Sequence, residues 1–82
     1  MNKVFVSGTI INDIQYNFIL NNKDIAISKF RLKIKEDIII TIIAKNEKAD
    51  YCYKNLKKGK IIYIIGKITT NGEIEINEIL YT

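Results

Sequence analysis

Apolar and polar residues alternate along much of this chain at the period that sends neighbouring side chains to opposite faces of a β-strand. From Lys3 to Ile11, Val4, Val6, Gly8 and Ile10 share one face, with Lys3, Phe5, Ser7 and Thr9 on the other. That predicts a first strand with one face buried. Asn12-Asp13 interrupts it as a break or bulge, and Ile14 to Phe18 continues the strand. Asn21-Asn22-Lys23-Asp24 reads as a turn, because Asn and Asp tolerate left-handed backbone and bond to it locally. The clearest alternation runs from Ile25 to Lys35: Ala26, Ser28, Phe30, Leu32 and Ile34 on one side, Lys29, Arg31, Lys33 and Lys35 on the other.

Glu36-Asp37 forms a tight turn, and Ile38 to Ala44 is almost wholly apolar, the pattern of a strand covered on both faces. A helix follows. Asn46 stands at the N-cap, Glu47 and Asp50 in the first turn, and Ala49, Cys52, Tyr53 and Leu56 form one apolar stripe. Lys57 and Lys58 close the last turn, with Gly59 just past it. Two more strands, Lys60 to Thr69 and Glu73 to Tyr81, flank Asn71-Gly72, a strong hairpin signal. The order β-β-β-α-β-β over residues 1–82 predicts a single all-β domain. Its expected architecture is a five-stranded OB-fold barrel with one α-helix between the third and fourth strands. Packed sheets or a small α+β domain fit the same order.

Length limits how such a domain is held together. At 82 residues it buries only about 60–65% of the surface its unfolded chain exposes. Cys52 is the sole cysteine and histidine is absent. Neither a disulfide nor a Cys/His metal site can add stability, so self-association is the remaining device. No apolar run approaches the roughly 20 residues of a membrane span, and the first residues do not read as a signal peptide. The expected location is cytoplasmic. Net charge is +4, a moderate bias toward a polyanionic partner. Ile, Lys and Asn, all with A/T-rich codons, make up 41 of the 82 residues. Much of the lysine therefore reflects base composition, and the position of each charge carries more meaning than the total.

Several segments, in order, resemble bacterial single-stranded DNA-binding proteins. Asn2-Lys3-Val4-Phe5-Val6-Ser7-Gly8 resembles that family's N-K-V-x-L-x-G start. Asp13 with Ile14-Gln15-Tyr16 is similar to D-P-E-x-R-Y, and Lys29-Phe30-Arg31-Leu32 to R-F-S-L. Leu56-Lys57-Lys58-Gly59 resembles L-x-K-G, and Ile62-Tyr63-Ile64-Ile65-Gly66-Lys67-Ile68 resembles V-Y-V-E-G-R-L. The resemblance spans nearly the whole chain. It implies an OB-fold, a homo-oligomer (dimer or tetramer), single-stranded DNA as partner, and a place among replication, recombination or repair proteins. The family's stacking aromatics fall in two hairpins that are short here, and at strand-three positions that read Ile39 and Lys45. Tryptophan is absent, and the sequence ends at Tyr81-Thr82 without the family's acidic tail.

The basic stripe Lys29, Arg31, Lys33 and Lys35 is the foremost candidate for phosphate contacts. The competing reading is a solvated face neutralised by Glu73, Glu75 or Asp37. Ile39, Thr41, Ile43 and Lys45 lie on the strand that binds DNA in the family, and serve either as a platform for bases or as an interface. Lys67 adds a further phosphate contact, and Tyr16, Phe18 and Tyr63 are the aromatics able to replace the lost stackers. Ile65 stands where the family carries glutamate; with Ile61 and Tyr63 on the same face it marks an oligomer interface. Cys52 reads as a buried structural thiol, Lys54, Lys57 and Lys58 as solvated helix-end charges, and Glu73 and Glu75 as solubilising acids on an edge strand. No triad, phosphate loop or metal set is present, so neither an enzyme nor a cofactor is expected. The alternative function is an OB-fold protein-interaction or primosomal accessory module with weak or no nucleic-acid binding.

Overall fold

Six strands and one helix make up the computed structural model, which describes residues 3–20 and 25–81. The turn expected at residues 21–24, Asn2 of the opening motif and Thr82 lie outside the described residues. The elements are β1 (Val4–Ile10), β2 (Gln15–Ile19), β3 (Ile25–Lys35), β4 (Ile38–Lys45), α1 (Glu47–Asn55), β5 (Ile61–Ile68) and β6 (Ile74–Tyr81). The sheet runs β1-β5-β6-β4-β3-β2, and a further β1–β3 pairing closes β1, β5, β6, β4 and β3 into a five-stranded barrel. This is the expected OB arrangement, with the helix between the third and fourth barrel strands.

β1 and β2 are one interrupted strand. Ile10 pairs with Leu32 and Gln15 with Lys29, so Ile11–Ile14 bulge out against only Phe30 and Arg31. Asn12 causes the break and repairs it: its side-chain oxygen accepts the Arg31 N–H at 2.9 Å, while the Ile11 N–H donates to the Arg31 carbonyl at 3.0 Å. Before the bulge, within β1, Gly8 lets the strand pass from β5 to β3. A Cβ on Gly8 would run into the Lys33 carbonyl.

The alternating apolar positions meet inside the barrel. Ile10, Phe30, Leu32, Ile42, Ile62 and Ile64 are fully buried. Helix α1 closes one end with Ala49, Cys52 and Leu56. The buried Ser28 hydroxyl donates to the Ala49 carbonyl at 2.7 Å, which ties β3 to the helix.

Local details depart from the sequence expectations. Tyr53 is 56% exposed, so it stands outside the buried helical stripe. Asn46 occupies the N-cap position at φ 56 without a side-chain cap bond. The helix ends at Asn55 with Leu56 as C-cap, which leaves Lys57 and Lys58 beyond it. Gly59, at φ 94, is therefore a loop residue whose N–H donates to the Ile10 carbonyl at 2.7 Å. The last hairpin has a three-residue loop: Thr69 N–H donates to the Glu73 carbonyl at 2.8 Å, Gly72 N–H to the Thr69 carbonyl at 3.0 Å, and Gly72 takes φ 80. An extra left-handed residue of this kind follows from the twist of the two strands. β4 is covered on both faces only near its C-terminal end; Ile38 and Ile39 are 46% and 44% exposed.

Candidate nucleic-acid interface

The outer faces of β3 and β4 form one surface. Cross-strand partners project to the same side, and the register places Ile43 opposite Lys29, Thr41 opposite Arg31 and Ile39 opposite Lys33. Beyond a register shift, Lys35 faces Ile38. All four basic residues are exposed, while the alternate residues Ser28, Phe30 and Leu32 are buried. Four cations at two-residue intervals cover about 20 Å of strand. β6 carries the surface onward: Glu75 pairs with Ile43 in parallel and with Lys67 of β5 in antiparallel register.

Two carboxylates stand within this cationic surface. Lys29 Nζ lies 3.4 Å from Glu73 Oε2, and Lys45 Nζ lies 3.5 Å from Glu75 Oε1. Glu75 does not decorate an edge strand, because β6 lies inside the sheet between β5 and β4, and Glu73 stands just before that strand. Among the described residues, Arg31, Lys33, Lys35 and Lys67 form no ion pair, and Asp37 neutralises none of them. The structure thus brings together Lys29, Arg31, Lys33, Lys35, Ile39, Thr41, Lys45 and Lys67. Ile43 sits under this layer, nearly buried.

Tyr16 is the exception. It pairs with Ser28, whose side chain points to the helix, so Tyr16 faces α1 and not the basic stripe. Its hydroxyl donates to Asp50 Oδ1 at 2.5 Å, and its ring lies 4.9 Å from that of Tyr53. Phe18 shares that side by strand alternation. The signal was present in the chain: the inward, even-numbered positions of β1 carry on through Ile14, Tyr16 and Phe18. With Tyr16 removed, no aromatic ring stands on the outer faces of β3 and β4.

A second surface lies on β1 and β5. Phe5 pairs with Ile65, Ser7 with Tyr63 and Thr9 with Ile61. The Phe5 and Tyr63 rings are 6.4 Å apart, and Phe5 is 63% exposed. Ile61, Tyr63 and Ile65 therefore do share an outward face. Phe5 completes it, a residue that alternation puts outside without revealing its strand partner.

Cys52 is fully buried on the inner face of α1, and burial pushes its thiol up to about 11. A neutral, inaccessible thiol is a packing residue. Among the described residues no group of three or more His, Cys, Asp or Glu side chains is placed to hold a metal ion. Among the described residues no helix is long and apolar enough to cross a membrane.

No family model matches the chain, and no curated protein matches its sequence. Solved structures do match its shape. The single-stranded DNA-binding protein from Thermus aquaticus superposes with a TM-score of 0.84 at 19% identity, covering 100% of this chain and 40% of that one. The chain thus spans about two fifths of that protein's length. The SSB domain of a Synechococcus sp. protein gives a TM-score of 0.81 at 10% identity, with 99% and 96% of the two chains covered. The protein priB from Ralstonia solanacearum gives 0.80 at 10% identity, with 100% and 99% covered. The barrel described above is an OB-fold, and these three proteins share its shape.

Proposed function

We propose that this chain binds single-stranded DNA without sequence preference, through the backbone phosphates, along the outer face of β3 and β4. The observation that carries the reading is the row Arg31, Lys33 and Lys35, exposed at two-residue spacing and free of ion pairs among the described residues. Like charges so placed repel one another, and a polyanion relieves that repulsion. Thr41, Ile39 and Ile38 lie beside the row, so bases rest on a mostly aliphatic platform. Aromatic stacking contributes roughly 1–3 kcal/mol per base in other single-strand binders. Its absence here means affinity rests on charge. The shape shared with a protein whose name includes single-stranded DNA binding supports this polymer as the partner.

The role is binding, not catalysis, in replication, recombination or repair. The apolar face of Phe5, Ile61, Tyr63 and Ile65 supports a homo-oligomer, in which several short basic faces act on one strand. Titrating a labelled oligo-dT with wild type and with the Arg31→Glu/Lys33→Glu variant tests the reading. Loss of binding with an unchanged circular dichroism spectrum is expected, and unchanged binding contradicts it.

The second reading is an OB-fold protein-interaction module. The lack of any aromatic ring on the outer faces of β3 and β4 favours it. Under that reading wild type fails to bind oligo-dT even at low salt.

A further inference from the structure

The cations of the β3–β4 face fall into two groups. Toward the β5–β6 hairpin, Lys29 and Lys45 are answered within the chain by Glu73 at 3.4 Å and Glu75 at 3.5 Å. Toward the β3–β4 turn, Arg31, Lys33 and Lys35 have no such answer among the described residues. The two carboxylates are the better anchored partners: their side chains are 22% and 20% exposed, against 46% and 45% for the lysines. β6 holds Glu75 in place through its register with both β4 and β5, which also sets Lys67 beside it, and Glu73, just before β6, is held by its backbone bonds to Thr69.

Solvent-exposed ion pairs add about 0–1 kcal/mol to stability. The effect of these pairs on the fold is therefore small, while their effect on the charge offered to a polyanion is large. A lysine already facing a fixed carboxylate has shed most of its local field, neutralises little phosphate charge, and so releases few of the cations condensed on the strand.

We infer that Glu73 and Glu75 are resident counter-ions that set the affinity of this face by withdrawing Lys29 and Lys45 from the phosphate backbone. The inference rests on the single-strand-binding reading above. It deepens that reading by assigning an opposing role to two residues of the same surface. Four cations, Arg31, Lys33, Lys35 and Lys67, remain to exchange ions with the strand. At about −0.7 per contact they give a log–log salt slope of about −2.8, whereas all six would give about −4.2.

The experiment is oligo-dT anisotropy between about 50 and 200 mM salt, with wild type, Glu73→Gln/Glu75→Gln and Lys29→Gln/Glu73→Gln. Circular dichroism confirms that each is folded. The double glutamine variant is expected to steepen the slope from about −3 to about −4 and to tighten binding about 25-fold at 0.1 M salt. Removing Lys29 and Glu73 together leaves slope and affinity at the wild-type values. A merely structural role for the carboxylates would not move the slope. If wild type binds and Glu73→Gln/Glu75→Gln matches it in slope and affinity, the counter-ion role is overturned and the binding reading stands. If wild type does not bind but the double glutamine variant does, the counter-ion role is upheld at its extreme. If neither binds, both readings fall.

Discussion

Tyr16 and Asp50 are joined by a hydrogen bond of 2.5 Å, from the phenol of β2 to the carboxylate of α1, across 34 residues of sequence. With the Tyr16–Tyr53 ring contact it straps the outermost strand to the helix. The bond to Asp50 raises the Tyr16 pKa, helped by burial and by the carboxylate's charge. The neutral phenol is the form that the fold favours. Its contribution is therefore fully present below the ordinary tyrosine value of about 10, and is lost as pH rises through the higher folded value. Tyr16→Phe is expected to lower the melting temperature at pH 7, with the gap to wild type closing at strongly alkaline pH. Oligo-dT binding is expected to be unchanged, because the ring faces away from the basic stripe. Thermal melts across pH, paired with anisotropy, check both; a gap that persists at high pH contradicts the strap.

Gly8 permits the closest approach of β1 to β3. An added methyl would press on the Lys33 carbonyl, and on Leu32 Cγ at 3.1 Å. Overpacking of this kind costs about 1–3 kcal/mol. Gly8→Ala is expected to lower the urea midpoint by that amount of stability at constant m-value. A midpoint equal to wild type would show that the barrel closes more loosely than described.

Cys52 offers a probe of global opening. Its burial and raised pKa leave little thiolate at neutral pH. A disulfide reagent is expected to label it only as fast as the chain opens, and at full speed in denaturant. Labelling of the native protein at the speed of a free thiol contradicts its burial.

The β1–β5 face makes its own prediction. Phe5 and Ile61 are 63% and 55% exposed and point away from the core. Charging them removes the surface Phe5–Tyr63 ring contact but no core packing. Phe5→Glu/Ile61→Glu is expected to reduce the mass seen by light scattering to that of the monomer while the melting transition remains cooperative. An unchanged oligomer would place the contact elsewhere.

Period-two alternation made the basic stripe and the barrel core legible in the sequence, since inward Phe30 and Leu32 fix outward Arg31 and Lys33 without knowledge of the partner strand. Non-local pairing was not legible in the same way. Glu73 and Glu75 stand in the sequence as candidates to neutralise the stripe, but which cations they meet, Lys29 and Lys45, follows from barrel closure, which sets β6 parallel to β4. Exposure of Ile38 and Ile39 was hidden for the same reason: β4 meets β6 only at Ile42 and Ile43, and the strand outruns its cover. Tyr16 departs for a different reason. Its ring made it a candidate to replace the lost stackers, while the parity carried from Ile10 through Ile14 points it at the helix.

The most direct test of the central claim is the salt dependence of oligo-dT binding by the wild-type chain, read by anisotropy. Phosphate binding through four free cations is expected to give a linear log–log plot with a slope of about −3. Binding indifferent to salt, or no binding at low salt, would contradict it.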